Sequence, residues 1–70
     1  MAEIRAEMVA NVWKVLVSEG DQVDEGDTLV ILESMKMEIP VLAESPGIVT
    51  KLHVAEGDVV QEDELIAEIR

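Results

Sequence analysis

One lysine stands between two methionines, Met35-Lys36-Met37, with Glu33 and Glu38 close on either side. A primary amine becomes a nucleophile once it loses its proton, so a lysine held out on a surface is a candidate for acylation. Thioether side chains are flexible and polarizable, and beside such an amine they would shape what binds there. Surface turns ordinarily carry Gly, Asn, Asp or Pro, which tolerate turn backbone. Met-Lys-Met at such a place leaves two readings. In one, Met35 and Met37 tuck into the core and Lys36 is an ordinary solvated charge. In the other, Lys36 is a covalent attachment point and the methionines form its surroundings.

Little else in the chain could act on a substrate. There is no cysteine, hence no thiolate and no disulfide, and His53 is the only histidine. No metal-ligand spacing, nucleophile–base pair or phosphate loop is present, so the chain reads as a non-catalytic protein. Asp21 and Asp58 could be taken as an acid and base pair, but both follow a glycine and read better as turn caps. Sixteen acids against five bases give a formal net charge of −11. A surface so negative repels phosphate backbones and anionic membranes, and Trp13 as sole aromatic offers no stacking platform for single strands. Nucleic acid and membrane are therefore not expected as partners. No apolar stretch approaches the roughly 20 residues of a membrane span. Residues 1–7 lack the pattern of a secretory signal, which leaves a cytoplasmic location as the expectation.

The elements that must position Lys36 are strands. Eleven Val, six Ile and six Leu make most of the apolar content, a bias towards β structure. Leu29-Val30-Ile31-Leu32 before the Met-Lys-Met triplet, and Ile39 with Val41-Leu42 after it, read as two strands of a hairpin with Lys36 at or next to the tip. Pro40 in the second strand must face solvent or a bulge, because it cannot donate to a ladder.

The rest of the chain is one unit written twice. At an offset of 37, ten of the twenty residues from 6 to 25 match their partners, among them Val12 with Val49, Lys14 with Lys51 and Glu19-Gly20-Asp21 with Glu56-Gly57-Asp58. Each half predicts a first strand (3–8, then 39–43), a turn (Val9-Ala10-Asn11, then Ser45-Pro46-Gly47) and a longer strand (12–18, then 48–54). A Gly-Asp turn, a Val-x-x step and a last strand follow. Gly20, Gly26, Gly47 and Gly57 are assigned to turns. Gly26 has Asp63 as its partner, a residue that tolerates left-handed backbone better than most. In the second long strand Ile48, Leu52 and Val54 are placed on one face and Val49, Lys51 and His53 on the other, which leaves His53 solvated. Seventy residues make a single domain, 1–70, with a thin core. Lys14 and Lys51 are equivalent surface charges, whereas Lys36 has no partner. It lies in the segment joining the halves, where a duplicated scaffold would present it rather than enclose it.

Glu33-Ser34-Met35-Lys36-Met37-Glu38 resembles the attachment motif of biotinyl domains, whose core is Met-Lys-Met. The duplicated Ala-Glu…Val…Glu-Gly-Asp-x-Val pattern is similar to the biotinyl/lipoyl attachment family over essentially the whole chain, and the length resembles its small stand-alone biotinylated members. The resemblance implies an all-β fold, a flattened barrel or sandwich of two four-stranded antiparallel sheets with quasi-two-fold symmetry and no thumb insertion. It implies that Lys36 carries biotin, attached by a biotin protein ligase, with Met35 and Met37 flanking it. The biotin would be carboxylated by a biotin carboxylase subunit and hand CO₂ to an acceptor at a carboxyltransferase subunit. The isolated carrier is then a monomer. Lipoyl domains of 2-oxo acid dehydrogenase or glycine-cleavage systems share the fold but usually have Asp-Lys-Ala at the site. Lipoate at Lys36 is the alternative cofactor, and an unmodified interaction domain is the alternative of another class.

Overall fold

A computed structural model describes residues 2–70; Met1, with which the expected domain begins, lies outside the described residues. Eight strands follow in order: β1 Ala2–Arg5, β2 Ala10–Val15, β3 Gln22–Val23, β4 Thr28–Ser34, β5 Met37–Leu42, β6 Gly47–Leu52, β7 Val59–Val60 and β8 Leu65–Ile69. They form two four-stranded antiparallel sheets, β1-β8-β6-β3 and β5-β4-β2-β7. The described residues contain no helix. The 37-residue repeat is also the symmetry of the fold: β1, β2, β3 and β4 correspond to β5, β6, β7 and β8. Each sheet takes two strands from each half, so neither half has a sheet of its own.

The core lies between the sheets and repeats in the same way. Val12 and Val49, Val23 and Val60, Leu29 and Ile66, and Leu32 and Ile69 are buried as equivalent pairs. No polar or charged side chain is buried with them among the described residues. Stability therefore rests on apolar burial at about 25 cal/mol per Å² and on the backbone ladders.

The turns are tied to the opposite half. The Gly20 N–H donates to the Val49 carbonyl at 2.7 Å, and the Gly57 N–H to the Val12 carbonyl at 2.9 Å. Asp21 and Asp58 return the bond: their carbonyls accept from Val49 N–H at 2.9 Å and Val12 N–H at 2.8 Å. Their carboxylates close their own turns, accepting from Ser18 N–H at 2.8 Å and Ala55 N–H at 2.9 Å. Asp21 and Asp58 are caps, each occupied within its own loop. Gly20, Gly26 and Gly57 have φ of +95, +90 and +95°, and Asp63 adopts +69° where its sister position holds Gly26.

Several sequence-based boundaries move. The first strand ends at Arg5 rather than residue 8, and the bend after it falls on residues 7–9, so Ala10 and Asn11 already belong to β2. The long strands end at Val15 and Leu52, although the Leu16 and His53 N–H groups still donate to the Leu29 and Ile66 carbonyls at 2.9 and 2.8 Å. The Val15 N–H donates to the Glu56 carboxylate at 3.2 Å and the Leu52 N–H to Glu19 at 3.0 Å. Val49 is buried and Ile48 exposed, the reverse of the expected faces. A register shift between Val49 and Lys51 is the cause: the extra residue of a bulge inverts the alternation of the strand. The equivalent shift falls between Val12 and Lys14. His53 is placed on the outer side as expected, and its Nε2 lies 2.8 Å from the Glu68 carboxylate.

Gly47 differs from the other three glycines. It opens strand β6 instead of making a turn, and a Cβ there would run into the Arg70 carbonyl and lie 2.7 Å from Ile69 Cγ2. Its glycine is required by close packing. At Gly26 a Cβ would meet nothing within 4 Å, and only the positive φ opposes substitution. Gly47→Ala should therefore cost about 1–3 kcal/mol by overpacking, and Gly26→Ala about 1 kcal/mol from left-handed backbone. Urea titration of the two variants checks the order; equal losses, or a larger loss at Gly26, would contradict it.

Candidate functional site

The hairpin β4–β5 positions Lys36. Its strands pair in unbroken register from Ile31 opposite Pro40 through Leu32–Ile39 and Glu33–Glu38 to Ser34 opposite Met37. Alternation of the chain sends Leu32 and Ile39 into the core and Glu33, Glu38, Ile31 and Pro40 to the outer face. Pro40 is exposed on β5, the edge strand of its sheet, where its missing N–H leaves no ladder bond unmade.

Only Met35 and Lys36 remain for the turn. Both have positive φ, 52° and 65°. Positive φ at both central positions is the pattern of a type I′ turn, which matches the twist of the flanking strands and favours Asn-Gly. A residue with a Cβ in this conformation costs about 1 kcal/mol relative to glycine. The turn thus stores strain at both of its residues, and neither is a good turn former. Backbone of this kind persists when the surroundings enforce it and recurs at functional sites. The strain was not legible in the sequence, because neither residue type signals a left-handed turn.

The side chains are presented, not packed. Met35 is 92% exposed and Met37 64% exposed, which excludes the reading that places them in the core. Lys36 is exposed, and its amine has no ion-pair or hydrogen-bond partner among the described residues. Lys14, by contrast, rests over the Trp13 ring at 5.4 Å from its centroid. Glu33 and Glu38 face each other directly across the hairpin, both exposed. Like charges so placed cost a few tenths of a kcal/mol. They leave an acidic pair one step below the turn that a cationic partner would relieve.

A surface groove of about 520 Å³ runs between edge strands β1 and β5 over Ile4, Leu32, Ile39 and Val41, and a second lies over Arg5, Glu44 and Asp63; none of residues 34–37 lines either. No group of three metal-ligating side chains gathers anywhere among the described residues. What this geometry can do is offer one unhindered amine, and whatever it carries, to another protein's active site.

The family model described as "Biotin-requiring enzyme", for biotin and lipoyl attachment domains, matches residues 2–69. A biotinylated protein TB7.3 homolog of Mycobacterium leprae is 64% identical over 70 residues, covering 99% of both chains. Among solved structures, the urea carboxylase of Kluyveromyces lactis contains a region of the same shape, with a TM-score of 0.92 and 35% identity, matching 99% of this chain and 6% of that one. The lipoyl domain of the 2-oxoglutarate dehydrogenase complex from Azotobacter vinelandii superposes with a TM-score of 0.86 at 25% identity, covering 100% of this chain and 96% of that one. With two four-stranded sheets, a lysine at the tip of the central hairpin and a family match over residues 2–69, the chain belongs to the biotin/lipoyl attachment family.

Proposed function

We propose that this protein is a biotin carboxyl carrier, that Lys36 is the residue biotinylated, and that the carrier itself catalyses nothing. The observation that carries the reading is the strained two-residue turn, which holds an unpaired amine between two exposed thioethers. The name of the M. leprae relative and the carboxylase that contains the same shape support biotin as the group and a carboxylase system as its setting. The likeness to a lipoyl domain concerns the shared fold; Met35 and Met37 on either side of the lysine favour biotin.

The chain's own part in acylation is limited and specific. An ammonium nitrogen has no free electron pair, so the lysine must lose a proton before it attacks. No base lies within hydrogen-bond reach of Lys36 among the described residues, so the ligase must take the proton. The neutral Nζ then attacks the activated carboxyl carbon of biotin. A C–N bond forms, the nitrogen gives up its remaining surplus proton to the ligase or solvent, the leaving group departs with the electron pair of the broken bond, and the product amide bears no charge. When bound, biotin supplies a carrier for one carboxyl unit. The turn holds the arm clear of the sheets, and the methionines offer adaptable apolar surface to each enzyme that receives it. Partners proposed on this reading are a biotin protein ligase, a biotin carboxylase and a carboxyltransferase, met by a monomeric carrier.

Two measurements check this reading. Lys36→Arg should fold as the parent does and take no label from ligase, ATP and biotin on a streptavidin blot; label on that variant would mean another attachment site. Replacing Met35→Asn together with Lys36→Gly should raise stability by about 1–2 kcal/mol, since the turn would hold its preferred residues. An unchanged urea midpoint would show that the turn is not strained.

A further inference from the structure

The duplication supplies an internal control for the surface. Wherever the two halves share a fold position but differ in chemistry, the difference is not demanded by the fold. On the outer face of the sheet β1-β8-β6-β3 stand Glu3, Arg5, Thr50, His53 and Glu68. They are linked to one another: Arg5 pairs with Glu3 at 2.9 Å, His53 with Glu68 at 2.8 Å, and the Thr50 hydroxyl donates to the Glu68 carbonyl at 3.1 Å. The equivalent positions of the other sheet, 37 residues away, are Pro40, Leu42, Trp13, Leu16 and Ile31. Every polar member of the first group is apolar in the second. Lys51 and Lys14 alone are the same, opposite Glu68 and Ile31 respectively.

The apolar version is on the sheet that carries Lys36. Trp13 is 42% exposed and Leu16 53% exposed. Trp13 occupies the extra position of the bulge in β2, with the Lys14 amine over its ring. Aromatic side chains held in this way, with much of their surface in water, are the residues that most often anchor a protein partner. The pair Glu33–Glu38 lies between this patch and the turn, so a partner seated on the patch meets acid as it approaches the lysine.

We propose that the outer face of β4 and β2, centred on Trp13, Leu16 and Ile31, is the surface on which biotin protein ligase docks while it acylates Lys36; the proposal rests on the attachment reading above. The chemistry of the task favours the ligase over the enzymes of the carboxylase system. Those enzymes act on the loaded carrier and have the biotin ring to recognise. The ligase acts on the bare protein and has only protein surface by which to find one lysine among Lys14, Lys36 and Lys51. A second copy of this chain is disfavoured as the occupant, because it would bring a net charge of −11 against the same charge. The ligase surface that fits is a shallow apolar one, bordered by basic side chains that reach Glu33 and Glu38.

The sister sheet prescribes the test. Trp13→Thr, Leu16→His and Ile31→Glu together transplant residues that already coexist at Thr50, His53 and Glu68, so the fold should accept them. Labelling by biotin protein ligase, with ATP and biotin, is followed across a range of carrier concentrations. The exchanged protein should show a KM for the carrier raised about tenfold or more with kcat within about twofold of the parent, as loss of a docking anchor requires. Circular dichroism and a thermal melt confirm its folding. If the triple exchange does not fold, Trp13→Thr alone should raise KM about threefold. Thr50→Ala and His53→Ala, on the other sheet, should leave labelling unchanged. An unaltered KM on the folded exchange variant, or an equal rise with the two control variants, would overturn the proposal while leaving Lys36 as the attachment site. So would a dimeric parent that the exchange converts to a monomer, which would show a second copy on this face. Absence of label on the parent itself would overturn the attachment reading and this proposal with it.

Discussion

Each half of this protein is held by hydrogen bonds that the other half supplies. The Gly-Asp turn of one half lies along the long strand of the other, with Gly20 on Val49, Gly57 on Val12, and Asp21 and Asp58 answering through their carbonyls. Glu19 and Glu56 extend the exchange by taking the last N–H of the opposite strand. A chain this short buries a small core, and neither half could close a sheet alone. Interlocking makes folding a single event and leaves few places where the chain can yield locally.

That rigidity matters at the hairpin. The turn at Met35 and Lys36 asks two residues with Cβ atoms to adopt left-handed backbone, and the register of β4 with β5 on a fixed sheet makes them do so. The scaffold therefore decides the direction in which the amine leaves the protein, while leaving the side chain free to move. A carrier needs both: an arm that sweeps between enzymes, and a base stiff enough that docking costs little order.

Most of the fold was legible in the sequence because the repeat made it so. The offset of 37 located the equivalent strands and the Gly-Asp turns, and β-branched runs placed the hairpin. What escaped has identifiable causes. The bulges at Trp13 and Thr50 each insert one residue, which a simple alternation cannot foresee, so Ile48 and Val49 take the faces opposite to those an unbroken alternation predicts. The strand starts at Ala10 and Gly47 were hidden because Pro46-Gly47 looks like a turn, whereas Gly47 is small to clear Arg70 and Ile69. The apolar outer face was also present in the sequence. It becomes visible only when the two halves are compared at positions where they disagree, since agreement marks the scaffold and disagreement marks what each sheet does.

Selective modification requires geometry to choose one amine among several that are all in water. Lys14 and Lys51 are as exposed as Lys36 in kind, and the three differ in where the fold holds them. Tandem mass spectrometry of the folded protein after treatment with biotin protein ligase measures that choice directly. All of the label should be found on Lys36, one group per chain. Label distributed over Lys14 and Lys51 as well would contradict the account, because it would mean that exposure, and not the strained turn, determines which lysine is modified.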